Sequence, residues 1–128
     1  MKKLILILLA MMLLTACGQN KENKQEAVYV NITAVEAKKI MDNQEGYVIL
    51  DTRTQEEYYE GHIPGAVLFP HEDVKAKAHV VLPDKNQLIL VYCRSGRRSK
   101  LAAEDLVELG YTNIKEFGGI IDWPYEVE

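Results

Sequence analysis

The sequence predicts one α/β domain, a parallel sheet of about five strands with helices on both faces. Three observations lead there. Tyr47–Leu50 and Leu88–Tyr92 are apolar without interruption, as strands covered on both faces of a parallel sheet are. Segments of helical periodicity alternate with these runs and with three shorter ones, the order that right-handed crossovers turn into a parallel sheet. Gly46, Gly61, Pro83 and Gly110 punctuate the changes from helix to strand.

Taken in order, Val28–Val30 reads as a short first strand. Thr33-Ala-Val-Glu36 is a capping box, in which the threonine hydroxyl meets the third helical N–H and the glutamate reaches back. The helix it opens runs to about Asp42, with Val35, Ile40 and Met41 offered to the core. Tyr47–Leu50 follows as a central strand. Thr54-Gln-Glu-Glu57 is a second capping box, and its short helix ends at Gly61. Ala66–Leu68 is a third strand, and Glu72–Ala78 a short helix. Leu88–Tyr92 is the most apolar strand. A helix over Ser99–Glu108, closed by Gly110, precedes the last strand at Ile114–Phe117.

Chemistry concentrates where the Leu88 strand ends, in Cys93-Arg-Ser-Gly-Arg-Arg98-Ser99. A polar loop between a strand and a helix N-terminus is an anion site, because loop N–H groups and the helix dipole both favour negative charge. Gly96 supplies the freedom that a tight loop requires. No apolar core calls for three arginines beside a cysteine, so Cys93 is read as a nucleophile whose thiolate the loop favours. Asp51 and Arg53 leave the Tyr47–Leu50 strand at its carboxyl end, the same end as Cys93 in a parallel sheet, and are read as support: Asp51 accepts backbone N–H groups, and Arg53 pairs with Glu57. His62 lies in a Pro-Gly turn and is read as a packing residue. His71 and His79 form no ligand cluster with Cys93, and neither a metal nor a cofactor is expected.

The Cys-Arg-Ser-Gly-Arg-Arg-Ser loop resembles the active-site loop of single-domain rhodaneses, which are sulfurtransferases. Asp51-Thr-Arg53, Glu57-Tyr-Tyr-Glu-Gly61-His-Ile-Pro-Gly-Ala66 and Gly118-Gly-Ile-Ile-Asp-Trp123 carry the same resemblance over about residues 28–124. It implies a rhodanese-like sheet and sulfur transfer through a persulfide on Cys93. The donor would be a thiosulfate-like anion and the acceptor a thiol or cyanide. Arg94, Ser95, Gly96, Arg97 and Arg98 would bind the substrate, with Arg98 the principal anion contact. Gly118-Gly119 would let the backbone pass close to the loop, and Trp123 would pack beneath it. A non-catalytic persulfide carrier is the alternative. A phosphatase or arsenate reductase is a weaker one, since those enzymes place one more residue between cysteine and arginine than the four between Cys93 and Arg98.

The first residues carry a separate message. Lys2-Lys3 and the apolar run Leu4–Leu14 form a signal-peptide pattern. The run is shorter than the ~20 residues of a membrane span. It ends in Leu14-Thr-Ala-Cys17, which resembles the bacterial lipoprotein box and implies cleavage after Ala16 and a lipid on Cys17. Residues 1–16 are thus read as a leader, 17–27 as lipidated cysteine and flexible tether, and 28–128 as the domain. The expected location is extracytoplasmic, anchored by lipid to a bacterial cell membrane, as a monomer. Of the two cysteines only Cys93 would then be a free thiol, which excludes an internal disulfide or a resolving partner. All nineteen acidic residues lie beyond residue 16, whereas two of the fifteen basic ones precede it, so a chain beginning at Cys17 carries −6. That charge argues against nucleic acid as a partner.

Overall fold

A computed structural model describes residues 28–128; the leader, Cys17 and the tether lie outside them. Strands β1 (Val30–Asn31), β2 (Tyr47–Asp51), β3 (Val67–Leu68), β4 (Leu88–Cys93) and β5 (Ile114–Gly119) form one parallel sheet in the order β1-β5-β4-β2-β3. Helices α1 (Ala34–Asn43), α2 (Gln55–Glu60), α3 (Val74–Val81) and α4 (Arg97–Glu108) connect them. The expected α/β class and strand number are both present.

The apolar β4 lies in the middle, in register with β2 from Tyr47 opposite Leu88 to Asp51 opposite Tyr92. Side chains alternate across the sheet. Leu50, Ile89, Val91 and Ile114 pack with α3 and α4, through Val74, Ala78, Ala102 and Leu106. On the other face Ile49, Leu90, Tyr92 and Phe117 pack with Ala37 and Ile40 of α1. Each fully buried aliphatic side chain contributes roughly 1.5–3 kcal/mol. This alternation sends Cys93 towards α4 and Tyr92 to the opposite face.

Both capping boxes form, at Thr33 with Glu36 and at Thr54 with Glu57. Three details depart from expectation. Val35 is exposed, because the stripe of α1 that meets the sheet falls on Ala37 and Ile40. The third helix is reached through a 3₁₀ turn at His71–Asp73 and runs on to Val81. Helix α4 starts at Arg97, two residues early, because Gly96 turns the chain with φ of 104°. Only glycine takes that conformation readily.

Candidate active site

Strand β4 delivers Cys93 to the carboxyl end of the sheet, where it is free and only 1% exposed. The Gly96 N–H donates to its Sγ at 3.0 Å, and the Ser99 hydroxyl lies 3.3 Å away. Beginning α4 at Arg97 makes Ser99 the third helical residue, so its side chain turns back under the loop, with Oγ 3.1 Å from the Gly96 carbonyl oxygen. The sulfur thus sits against the Gly96 amide at the mouth of a 12-residue helix, a setting suited to negative charge.

Strand β5 closes the site from the other side. Cys93 pairs in register with Gly119, past an irregularity in the β4–β5 ladder. A Cβ on Gly119 would fall on the Arg94 carbonyl, far inside van der Waals contact. The close passage expected of the glycine pair is therefore at Gly119, and the Ile121 N–H then donates to the Arg94 carbonyl at 3.3 Å. Glu116, buried on β5, accepts from Ser99 Oγ at 2.7 Å and from the Gly118 N–H at 2.8 Å. Sequence reasoning missed Glu116. Its one signal is a charged residue in a strand that should be apolar on that face.

The arginines of the loop divide. Arg94 and Arg97 are exposed at its rim, as is Ser95. Arg98 is mostly buried and gives two N–H groups to Glu57, at 2.6 and 2.9 Å. That pair holds the Glu57 carboxyl at about 2, well below the usual carboxylate range, chiefly through the Arg98 hydrogen bond. The expected Arg53–Glu57 pair is thereby corrected. Helix α2 begins only at Gln55, so Arg53 precedes it and turns inward, while Glu57 faces α4.

Arg53 instead grips Asp51, with Nε donating to Oδ1 at 2.9 Å and a terminal N–H to Oδ2 at 2.7 Å; it also donates to the Gly61 carbonyl at 2.7 Å. Asp51 accepts the Arg53 backbone N–H at 3.0 Å and the Tyr92 hydroxyl at 2.7 Å. This buried cluster ties the end of β2 to the turn after α2. Asp51 and Arg53 are on the Tyr92 side of the sheet, opposite the face to which Cys93 points.

His62 stacks on Tyr58 with ring centroids 3.8 Å apart, and its Nδ1 lies 3.0 Å from the Tyr58 carbonyl. Trp123 differs from expectation. The 3₁₀ turn at Ile120–Asp122 carries it past the loop to the α1 face. There it packs against Phe117 and Tyr125, and lines a cleft with Met41, Tyr47 and Ile63. No group of three or more His, Cys, Asp or Glu stands in metal-ligand geometry among the described residues.

The fold and site define a class: a parallel α/β domain presenting a buried thiol inside an arginine-rich loop at a helix N-terminus. The Rhodanese-like domain profile matches residues 33–124, and the chain belongs to that family. Thiosulfate sulfurtransferase PspE of Escherichia coli K12 is 41% identical over 73 residues, which are 57% of this chain and 70% of the relative. A solved rhodanese with anions from E. coli is 36% identical, with a TM-score of 0.60 over 64% of this chain and 96% of that one. The adenylyltransferase and sulfurtransferase UBA4 of Candida albicans is 31% identical over 96 residues, but the chain spans only 22% of its length. Sulfur transfer is the general activity that these relatives support.

Proposed function

We propose that this protein is a thiosulfate-type sulfurtransferase that carries sulfur as a persulfide on Cys93. The Cys93 thiolate attacks the outer sulfur of thiosulfate. A bond forms between Sγ and that sulfur, and the sulfur–sulfur bond of the donor breaks, with sulfite leaving on its electron pair. A thiol or cyanide acceptor, as its anion, then attacks the outer sulfur and releases the Cys93 thiolate. Arg94, Ser95, Gly96, Arg97 and Arg98 bind the anionic donor, with Glu57 orienting Arg98.

The observation that carries this reading is the Gly96 N–H aimed at Cys93 Sγ from 3.0 Å. A donor preorganised towards the reacting atom stabilises the thiolate that attacks and is later released, without reorganisation. The leader pattern and the Leu14-Thr-Ala-Cys17 box support a location outside the cytoplasm, with the protein held to the membrane by lipid on Cys17.

Peptide mass spectrometry of the full-length protein after incubation with thiosulfate tests the reading. One added sulfur on Cys93, with sulfite released and turnover on adding cyanide, is the expected result. Loading without turnover would make the protein a carrier. No added sulfur from thiosulfate or other sulfane donors, with Cys93 still free, would overturn both.

A further inference from the structure

Three charged residues are buried among those described: Asp51, Arg53 and Glu116. The first two neutralise each other. Glu116 is 2% exposed and forms no ion pair among the described residues. Burying a lone carboxylate is costly, and nothing in the proposed sulfur chemistry uses it. Its partners connect it to the nucleophile.

Ser99 has one hydroxyl proton and four acceptors in reach. Glu116 Oε1 lies at 2.7 Å, the Gly96 carbonyl at 3.1 Å, Cys93 Sγ at 3.3 Å and the Gly118 carbonyl at 3.4 Å. The nearest and only carboxylate takes the proton, since charge-assisted hydrogen bonds are the strongest. Towards Cys93 the hydroxyl then offers a lone pair, so the thiol donates and Ser99 accepts. The result is a directed chain from Sγ through Oγ to Oε1.

We propose that Glu116 is the proton partner of Cys93, the thiol and the carboxylate sharing one proton through Ser99. The proposal rests on Cys93 being the nucleophile. As the thiolate forms, its proton passes to Ser99 Oγ and the Ser99 proton passes to Glu116. Cys93–SH with Glu116–COO⁻ becomes Cys93–S⁻ with Glu116–COOH, and Ser99 ends as it began. Net charge stays at −1, which avoids two adjacent negative charges in a buried site. Ser99 can now donate to the thiolate alongside Gly96. The proton returns when Cys93 leaves a transferred sulfur, making Glu116 a positioning residue that acts through Ser99.

Other groups set the background. From α4, Arg98 feels the Cys93 charge, but its guanidinium is spent largely on Glu57. Before β1, Tyr29 is pushed up first by burial and then by the charges of Glu104 and Glu116. Arg94 and Arg97 are exposed, and their fields are screened by solvent. Lys115 and Phe117 alternate with Glu116 along β5.

The test is the pH profile of iodoacetamide alkylation of Cys93 in the full-length chain, resolved by peptide so that Cys17 does not contribute. The wild-type rate should rise in two steps. Glu116→Gln, which keeps an acceptor for Ser99, should give one step and react about three- to tenfold faster at neutral pH, because a like charge is gone. A Glu116 that acts by its charge alone predicts a single step in both proteins, displaced between them; a single wild-type step, an unchanged profile in the variant, or slower alkylation would overturn the proposal. Should Glu116→Gln fail to fold, infrared titration of the wild-type carboxyl bands before and after methylation of Cys93 decides. Capping Sγ should remove one step of the Glu116 band, and an unchanged band would refute proton sharing. Neither measurement uses a sulfur donor. Failure to load sulfur would defeat the sulfurtransferase reading and leave this result standing, and the reverse also holds.

Discussion

The Tyr92 hydroxyl donates to Asp51 Oδ2 at 2.7 Å while accepting the Ile63 N–H at 3.0 Å. One buried phenol thus fastens the end of β4 to β2 and to the turn between α2 and β3. Burial, and then the bond to Asp51, push its ionisation far above the ordinary tyrosine range, so it remains a neutral donor.

Replacing Tyr92 by Phe leaves the Ile63 N–H without its acceptor and removes one donor from Asp51. A buried group deprived of its partner costs about 1–3 kcal/mol. Urea denaturation of Tyr92→Phe should show a loss of that size. The alkylation rate of Cys93 should stay within about twofold, since the two side chains lie on opposite faces of the sheet.

The Glu57–Arg98 pair makes stability depend on acid. Its carboxyl is held at about 2 in the folded protein against an ordinary 4.5. The contribution is therefore complete above pH of about 4.5 and is lost as pH falls through about 2. Solvent screening at this partly exposed pair limits it to roughly 1 kcal/mol. Glu57→Gln should lower the melting temperature near neutral pH and leave a smaller difference from wild type near pH 2. A constant difference across that range would contradict the assignment.

Gly119→Ala tests the passage of β5 beneath the loop. The added methyl meets the Arg94 carbonyl, and either β5 or the loop has to shift. Overpacking of this kind costs about 1–3 kcal/mol. Thiosulfate turnover should fall by more than tenfold while the circular dichroism spectrum is retained. Gly65→Ala, where an added Cβ meets nothing within 4 Å, is the control. It strains only its own turn and should spare turnover.

The proposed anchor is testable at Cys17. Cys17→Ser should block lipid attachment and leave an unprocessed precursor of higher mass, read by metabolic labelling with a fatty acid and by intact mass. Normal processing of the variant would remove the lipoprotein reading without touching Cys93.

Much of the site was legible because its signals are local. An unbroken apolar strand, a cysteine at its end and a glycine among arginines lie within a dozen residues, and both capping boxes are four-residue patterns. The missing parts are relations between distant segments. Arg53 and Glu57 stand close in sequence on either side of the Thr54 cap, which suggests a local pair across the turn. Their partners are Asp51 and Arg98 instead, the latter 41 positions from Glu57. Glu116 reads as an ordinary surface charge until β5 is laid beside β4. Val35 was misplaced although its cap was read correctly, because which stripe of α1 turns inward is set by the sheet face it meets, at Ala37 and Ile40.

Cys93 is 1% exposed, which shields the bare thiol from bulky disulfides and from most oxidants, whose attack follows access. In the proposed cycle an attached sulfur would stand about 2 Å beyond Sγ, the length of a sulfur–sulfur bond. Empty, the loop hides its reactive atom; loaded as proposed, it would set one farther out. An acceptor would then tell the sulfur-bearing protein from the bare one by reach alone.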